Sequence, residues 1–222
     1  MSPPRQLALA LPHAESFARA DFLPGQGNES ALALIEGWPD WPDRVVALVG
    51  PEGSGKSHLA AIWADRAGAR FLAARALAIT DLPAALATGA LVLEDLVAGE
   101  VNERALFHLL NLTREEEAHV LLTARAAPAV GTIALADLAS RLRAIPVVNL
   151  APPDDALLRA VLVKLFADRQ LDVDEGLVSY LLSRLERSFA ALRATVDRLD
   201  AEALRRQRPV TRALAAEVLN FR

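Results

Sequence analysis

Val45-Val46-Ala47-Leu48-Val49-Gly50-Pro51-Glu52-Gly53-Ser54-Gly55-Lys56-Ser57 decides how the rest of this chain is read. Five apolar residues, the length of a buried strand, run into Gly-x-x-x-x-Gly-Lys-Ser, and helical spacing begins at Lys56. That order, strand then loop then helix, is the context a phosphate-binding loop needs. Such a loop turns its backbone N–H groups inward around phosphates, and glycines permit the required dihedrals. The helix N-terminus adds its dipole. Lys56 is positioned for the β- and γ-phosphates and Ser57 for Mg²⁺; His58 is counted with the loop. Cations here are nearly all arginine, the only lysines being Lys56 and Lys164, so a lysine inside the pattern is not an accident of composition. The expected ligand is ATP or ADP with Mg²⁺.

Outward from the loop, short apolar runs at 70–72, 90–93, 120–123 and 145–150 alternate with helical stretches at 56–67, 83–88, 103–115 and 135–143. Buried parallel strands joined by helical crossovers give this alternation. The fold class is therefore α/β: a P-loop NTPase with a five-stranded parallel sheet between helices. Upstream, residues 16–38 carry a helical pattern, and residues 1–14, with prolines at 3, 4 and 12, read as a flexible arm. After Pro152-Pro153 the strands stop. Asp154 and Asp155 suit the cap of a helix to about residue 169, Asp174 starts another, 188–207 is helical and Thr211 caps a last one. The expected organisation is an arm at 1–14, a nucleotide-binding domain at 15–152 and a small helical domain at 153–222.

Composition narrows the classes. With 222 residues and 53% hydrophobic content the chain can bury one domain and a small appendage. No apolar run reaches the roughly 20 residues that span a bilayer. The N-terminus is a poor signal peptide, and the absence of cysteine excludes disulfide and thiolate chemistry. A cytoplasmic protein is expected. The net charge of −4 supplies no chain-wide basic field for a phosphate backbone, which weighs against a dedicated DNA binder.

Three further places carry chemistry. Leu91-Val92-Leu93-Glu94-Asp95 is a buried run ending in adjacent acids. In P-loop enzymes one such group holds Mg²⁺ and another polarises the attacking water, which makes Glu94 and Asp95 catalytic candidates and Glu94, with Ser57, a metal candidate. Plain solvated turn acids are the alternative. Thr123, at the end of its strand, either senses a γ-phosphate or only ends the strand. Arg141 either caps its own helix or presents a guanidinium to a nucleotide on a neighbouring subunit.

The order of these motifs, with Ser140-Arg141 before the last strand and a helical lid after it, resembles the AAA+ ATPases of the DnaA clade, and within it the Hda regulators. Asp137-Leu138-Ala139-Ser140-Arg141-Leu142 is similar to that group's arginine-finger segment. Leu185-Glu186-Arg187 and Thr195-Val196-Asp197-Arg198-Leu199-Asp200 are similar to its lid. Phe22, Leu23 and Asn28 match the segment that packs on adenine. Gln6, Leu7, Leu9 and Leu11 resemble a peptide that binds the DNA polymerase III sliding clamp (beta subunit); without the resemblance they read as an edge strand or packed tail. DnaA itself carries an origin-reading helix-turn-helix after the lid, and no such segment follows here up to Arg222. Two positions depart from the pattern. Arg125 stands where relatives carry an acid, and the lid's sensor arginine falls on Ala190, with Arg187 or Arg193 as substitutes. Both departures weigh against intrinsic ATP hydrolysis.

The resemblance implies a regulator of replication initiation. With the DNA-loaded clamp it would promote hydrolysis of DnaA-bound ATP through Arg141 in trans, associating with DNA indirectly through the clamp; no membrane partner is expected. An autonomous ATPase that loads or remodels a helicase, acting within a homo-oligomer, and a non-hydrolysing nucleotide-gated adaptor are the other readings.

Overall fold

The computed structural model describes residues 17–127 and 133–219, in two compact units that divide after Pro152. The first unit is built on β1 (Val45–Val49), β2 (Arg70–Ala73), β3 (Ala90–Glu94), β4 (His119–Ala124) and β5 (Val147–Asn149). All pair in parallel in the order β2-β3-β4-β1-β5, with Val45 opposite Val120 and Leu91 opposite Arg70 and Val120. β1, which feeds the Gly-rich loop, thus lies inside the sheet, and the loop emerges beside the ends of β4 and β5.

Strand alternation sorts the core into two layers. Val45, Ala47, Val49, Leu91, Leu93, Val120 and Leu122 pack in one cluster with α3 (Leu82–Leu86), α4 (Glu103–Glu115) and α5 (Ala136–Ala144). Val46, Leu48, Val92 and Leu121 join the other, with α1 (Glu29–Glu36) and α2 (Lys56–Ala67). Covered on both faces, the strands must be apolar at successive residues, and the central ones are. In the second layer Trp63 of α2 is fully buried and stacks on Trp41, with ring centroids 4.8 Å apart. The Trp41 indole donates to the Leu34 carbonyl at 2.7 Å.

The second unit contains α6 (Asp155–Asp168), α7 (Glu175–Leu182), α8 (Phe189–Arg206) and α9 (Arg212–Leu219). Asp154 and Asp174 cap α6 and α7, accepting from the Leu157 and Leu177 amides at 2.7 and 2.6 Å, and Ser188 caps α8. Leu162, Phe166, Leu181, Val196, Leu199 and Ala215 form its core. Among the described residues no helix is long and apolar enough to cross a membrane.

Element edges differ from the sequence reading where proline or glycine intervenes. The strand expected at 145–150 is shortened to Val147–Asn149, since Pro146 has no N–H to add to the ladder, though its carbonyl accepts from Ala47 at 2.9 Å. The helical pattern at 16–38 resolves into a single 3₁₀ turn, Arg19–Asp21, and α1. Pro24 and Gly25 separate them.

Candidate functional site

The loop between β1 and α2 is shaped by its glycines. Gly53 and Gly55 adopt φ of 74° and 97°, the left-handed region where side chains are strained. At Gly50 a Cβ would lie 2.5 Å from the Leu150 carbonyl oxygen and 3.0 Å from Ser54 Oγ, so only glycine lets the loop leave the sheet beside β5. Gly55 is the N-cap of α2 and offers no side-chain cap, leaving the first-turn amides to an external acceptor. Among the described residues Ser54 Oγ is buried without a hydrogen-bond partner, in a side chain 3% exposed.

Lys56 is 8% exposed and folds over the loop, its Nζ donating to the Gly50 and Pro51 carbonyls at 2.7 Å each. Burial lowers its pKa from the ordinary lysine value; Asp95 and Glu52 oppose this and Arg125 reinforces it. A buried cation that donates to two carbonyls, a buried hydroxyl without a partner among the described residues and a helix start without a side-chain cap together form a donor-rich cradle. That donor set fits a di- or triphosphate tail.

At the metal candidates, burial first and Asp95 second raise the Glu94 pKa, and hydrogen bonding with Ser57 opposes the rise. Among the described residues no three His, Cys, Asp or Glu side chains gather into a metal cage. Mg²⁺ bound with nucleotide needs none, since it takes one or two protein ligands and completes its shell with phosphates and water. Ser57 and Glu94 fit that role. Asp95 sits in the left-handed region at φ 55°. Its amide donates to Thr123 Oγ1 at 3.2 Å, and the next amide, Leu96, donates to the Thr123 carbonyl at 2.8 Å. Thr123, 2% exposed, thereby braces the acidic turn from β4.

The segment at 17–28 lies against the same helix. His58, grouped with the loop from sequence, is buried against this segment: Nε2 lies 3.1 Å from the Ala18 carbonyl oxygen, and its ring meets Phe17 and Phe22 edge-on. Asn28 folds the segment on itself, accepting from the Gly25 amide at 2.8 Å and donating to the Leu23 carbonyl at 3.1 Å. The Ala151 amide donates to the Gly27 carbonyl at 3.0 Å. Phe22, Leu23 and Asn28 are thus held next to α2.

Arg141 has its contacts away from the loop, on α4. Arg141 is half-buried along α4, with Nη1 2.5 Å from Asn111 Oδ1 and its guanidinium 4.5 Å above the Phe107 ring. It does not cap its own helix. Arg141 also borders a cavity of about 160 Å³ with Ser140, Arg114, Leu110 and Asp43. Within the second unit Arg187 pairs with Asp155 at 2.7 Å, and Ala190, exposed, stands in the first turn of α8. Gln6, Leu7, Leu9 and Leu11 lie outside the described residues. The sequence reading missed one contact at the loop: Arg125 Nη2 lies 2.9 Å from Glu52 Oε2. Their opposite charges were visible, but not that β4 ends beside the loop.

Residues 155–219 match the family described as Hda, lid domain. The whole fold is similar to domain III of the Thermotoga maritima replication initiation protein DnaA, at 17% identity and a TM-score of 0.74, covering 92% of this chain and 96% of that one. DnaA from Aquifex aeolicus, solved with AMPPCP bound, matches at 17% identity and a TM-score of 0.66 over 83% of this chain and 65% of that one. The Thermotoga maritima RuvB Holliday junction branch migration motor matches at 16% identity and a TM-score of 0.67, over 88% and 69%. At such identities the structural likeness establishes the fold, that of an AAA+ module.

Proposed function

Since the chain is a Hda/DnaA-like AAA+ protein, we propose that it is a nucleotide-binding regulator of replication initiation that acts on DnaA. The observation that carries this is the pairing of a Hda-type lid at 155–219 with an intact phosphate loop in one chain. ATP or ADP binds with its phosphates among the loop amides, Lys56 and Ser54. Ser57 and Glu94 would hold Mg²⁺, which would supply neutralisation of phosphate charge. Phe22, Leu23 and Asn28 receive the base.

In this reading residues 6–11 engage the DNA-loaded sliding clamp, which brings the protein to ATP-bound DnaA. Arg141 then stabilises the charge developing on the phosphoryl group in DnaA's site. A guanidinium does this without proton transfer, and such a finger is worth about 10³–10⁵ in rate. The protein's own turnover is weak: the lid position for a sensor arginine is Ala190 and Arg187 is engaged with Asp155. That same observation favours the second reading, a non-hydrolysing nucleotide-gated adaptor.

Measuring ATP turnover by the protein alone, with clamp and DNA, and with ATP-bound DnaA added separates these readings. The regulator gives little turnover alone and stimulated hydrolysis in the complete mixture. Equal turnover with and without DnaA supports an autonomous ATPase, and no stimulation in any mixture supports the adaptor.

A further inference from the structure

Glu52 is an acidic residue on a loop read as receiving an anion. The backbone, not this side chain, shapes the loop, so Glu52 is not required by its fold. Its partner is Arg125. β4 ends at Ala124, whose carbonyl accepts from the Gly50 amide at 3.1 Å, so Arg125 follows directly beside the start of the loop. The Arg125 guanidinium lies 2.9 Å from the Glu52 carboxylate, with the two side chains 67% and 78% exposed. Both charges reach Lys56, Arg125 lowering its pKa and Glu52 raising it. Ser54 Oγ, buried and without a hydrogen-bond partner among the described residues, lies on the same loop.

We propose that Glu52 holds Arg125 in reserve as a phosphate ligand, and that the terminal phosphate of a nucleoside triphosphate displaces Glu52 and takes the guanidinium. The pair then makes the site discriminate a triphosphate from a diphosphate. An exposed ion pair contributes little and is screened by salt, so giving it up costs little. The phosphate offers more negative charge and a geometry that the planar guanidinium fork matches with two parallel hydrogen bonds. Arginine stays charged at any working pH, so the exchange depends on phosphate number rather than on protonation. The inference rests on the nucleotide-binding reading of the loop and adds a specificity residue to it.

Equilibrium titration of the full chain with ADP and with the non-hydrolysable triphosphate AMPPCP tests this on Arg125→Gln, Glu52→Gln, the double variant and Lys56→Ala. Both exposed positions tolerate glutamine, and thermal melting checks that each variant folds. Arg125→Gln is expected to weaken AMPPCP about tenfold while ADP changes by less than about threefold. Glu52→Gln is expected to tighten AMPPCP about threefold or more, and to lose that effect when Arg125 is also replaced. Equal weakening of both nucleotides by Arg125→Gln, no weakening of either, or the same tightening by Glu52→Gln in both backgrounds overturns the proposal. If Lys56→Ala loses both nucleotides while Arg125→Gln changes nothing, this inference fails and the loop reading stands. If Lys56→Ala loses neither, the loop reading itself fails.

Discussion

Ser57, in the first turn of α2, opposes the rise that burial gives the pKa of Glu94 at the end of β3. One group opens the helix after the phosphate loop, and the other ends β3, which β4 separates from β1 in the sheet. Mg²⁺ coordination in the proposed reading would depend on this pair, and burial leaves Glu94 in surroundings that disfavour its charge.

The pH dependence of Glu94 follows from that. Burial first, then Asp95, raises its pKa, and the Ser57 hydrogen bond opposes the rise. An acid that holds its proton more tightly folded than unfolded lowers stability as pH climbs from the unfolded to the folded pKa, a loss retained above both. Glu94→Gln is expected to melt above wild type at pH 7. The difference should shrink as pH falls into the ordinary carboxylate range and close once both states are protonated. Thermal melts across that range check it; a difference independent of pH contradicts the assignment.

Lys56→Ala is expected to lose both ADP and ATP by at least about 100-fold. Two charge-assisted contacts to phosphate at about 1.5 kcal/mol each account for that magnitude. Isothermal titration reads it directly, and unchanged affinity for both nucleotides refutes the site.

Arg141→Ala is expected to keep nucleotide and clamp binding yet lose stimulation of DnaA-bound ATP hydrolysis by at least about 10³-fold. Lysine cannot reproduce the guanidinium fork, so Arg141→Lys should lose most of it as well. Arg143→Ala, measured beside them, should retain it. The loss of the Asn111 and Phe107 contacts predicts a modest fall in melting temperature for Arg141→Ala. A folded variant that stimulates at the wild-type rate removes Arg141 from the mechanism.

Gln6→Ala with Leu9→Ala is expected to abolish binding to immobilised sliding clamp while leaving melting temperature and ADP affinity unchanged. Linear-peptide recognition concentrates affinity in a few anchors, so two truncations suffice. Equal binding by the double variant returns residues 6–11 to a purely structural role.

The parts legible in the sequence are those set by local chemistry. Runs such as Val45–Val49 announced strands because burial on both faces demands continuous apolar character, and Asp154 and Asp174 announced helix starts because their carboxylates satisfy free amides. The place of Lys56 and Ser57 in the first turn of α2 followed from a motif whose backbone geometry is nearly fixed. Strand order was not legible, because nothing local says that β1 inserts between β4 and β5. The Arg125–Glu52 pair depends on that insertion. The place of Arg141 on Phe107 depends on how α5 crosses α4, which side-chain packing decides. The contacts of His58 with the segment at 17–22 were not legible either, because nothing local says that this segment packs on α2.

The stacked Trp41–Trp63 pair gives the molecule a built-in optical probe. All the tryptophans, Trp38, Trp41 and Trp63, lie before Pro152, and the lid's aromatic emission can come only from Tyr180 and phenylalanine. Indole fluorescence excited at the red edge therefore reports on the α/β unit alone, whereas far-ultraviolet circular dichroism weighs the helices of both units. Trp63 also rides on the helix that begins at Lys56, roughly 10 Å along its axis at about 1.5 Å per residue. Ligand occupancy at one end of α2 and the melting of each unit can thus be followed in the unlabelled protein by comparing the two signals.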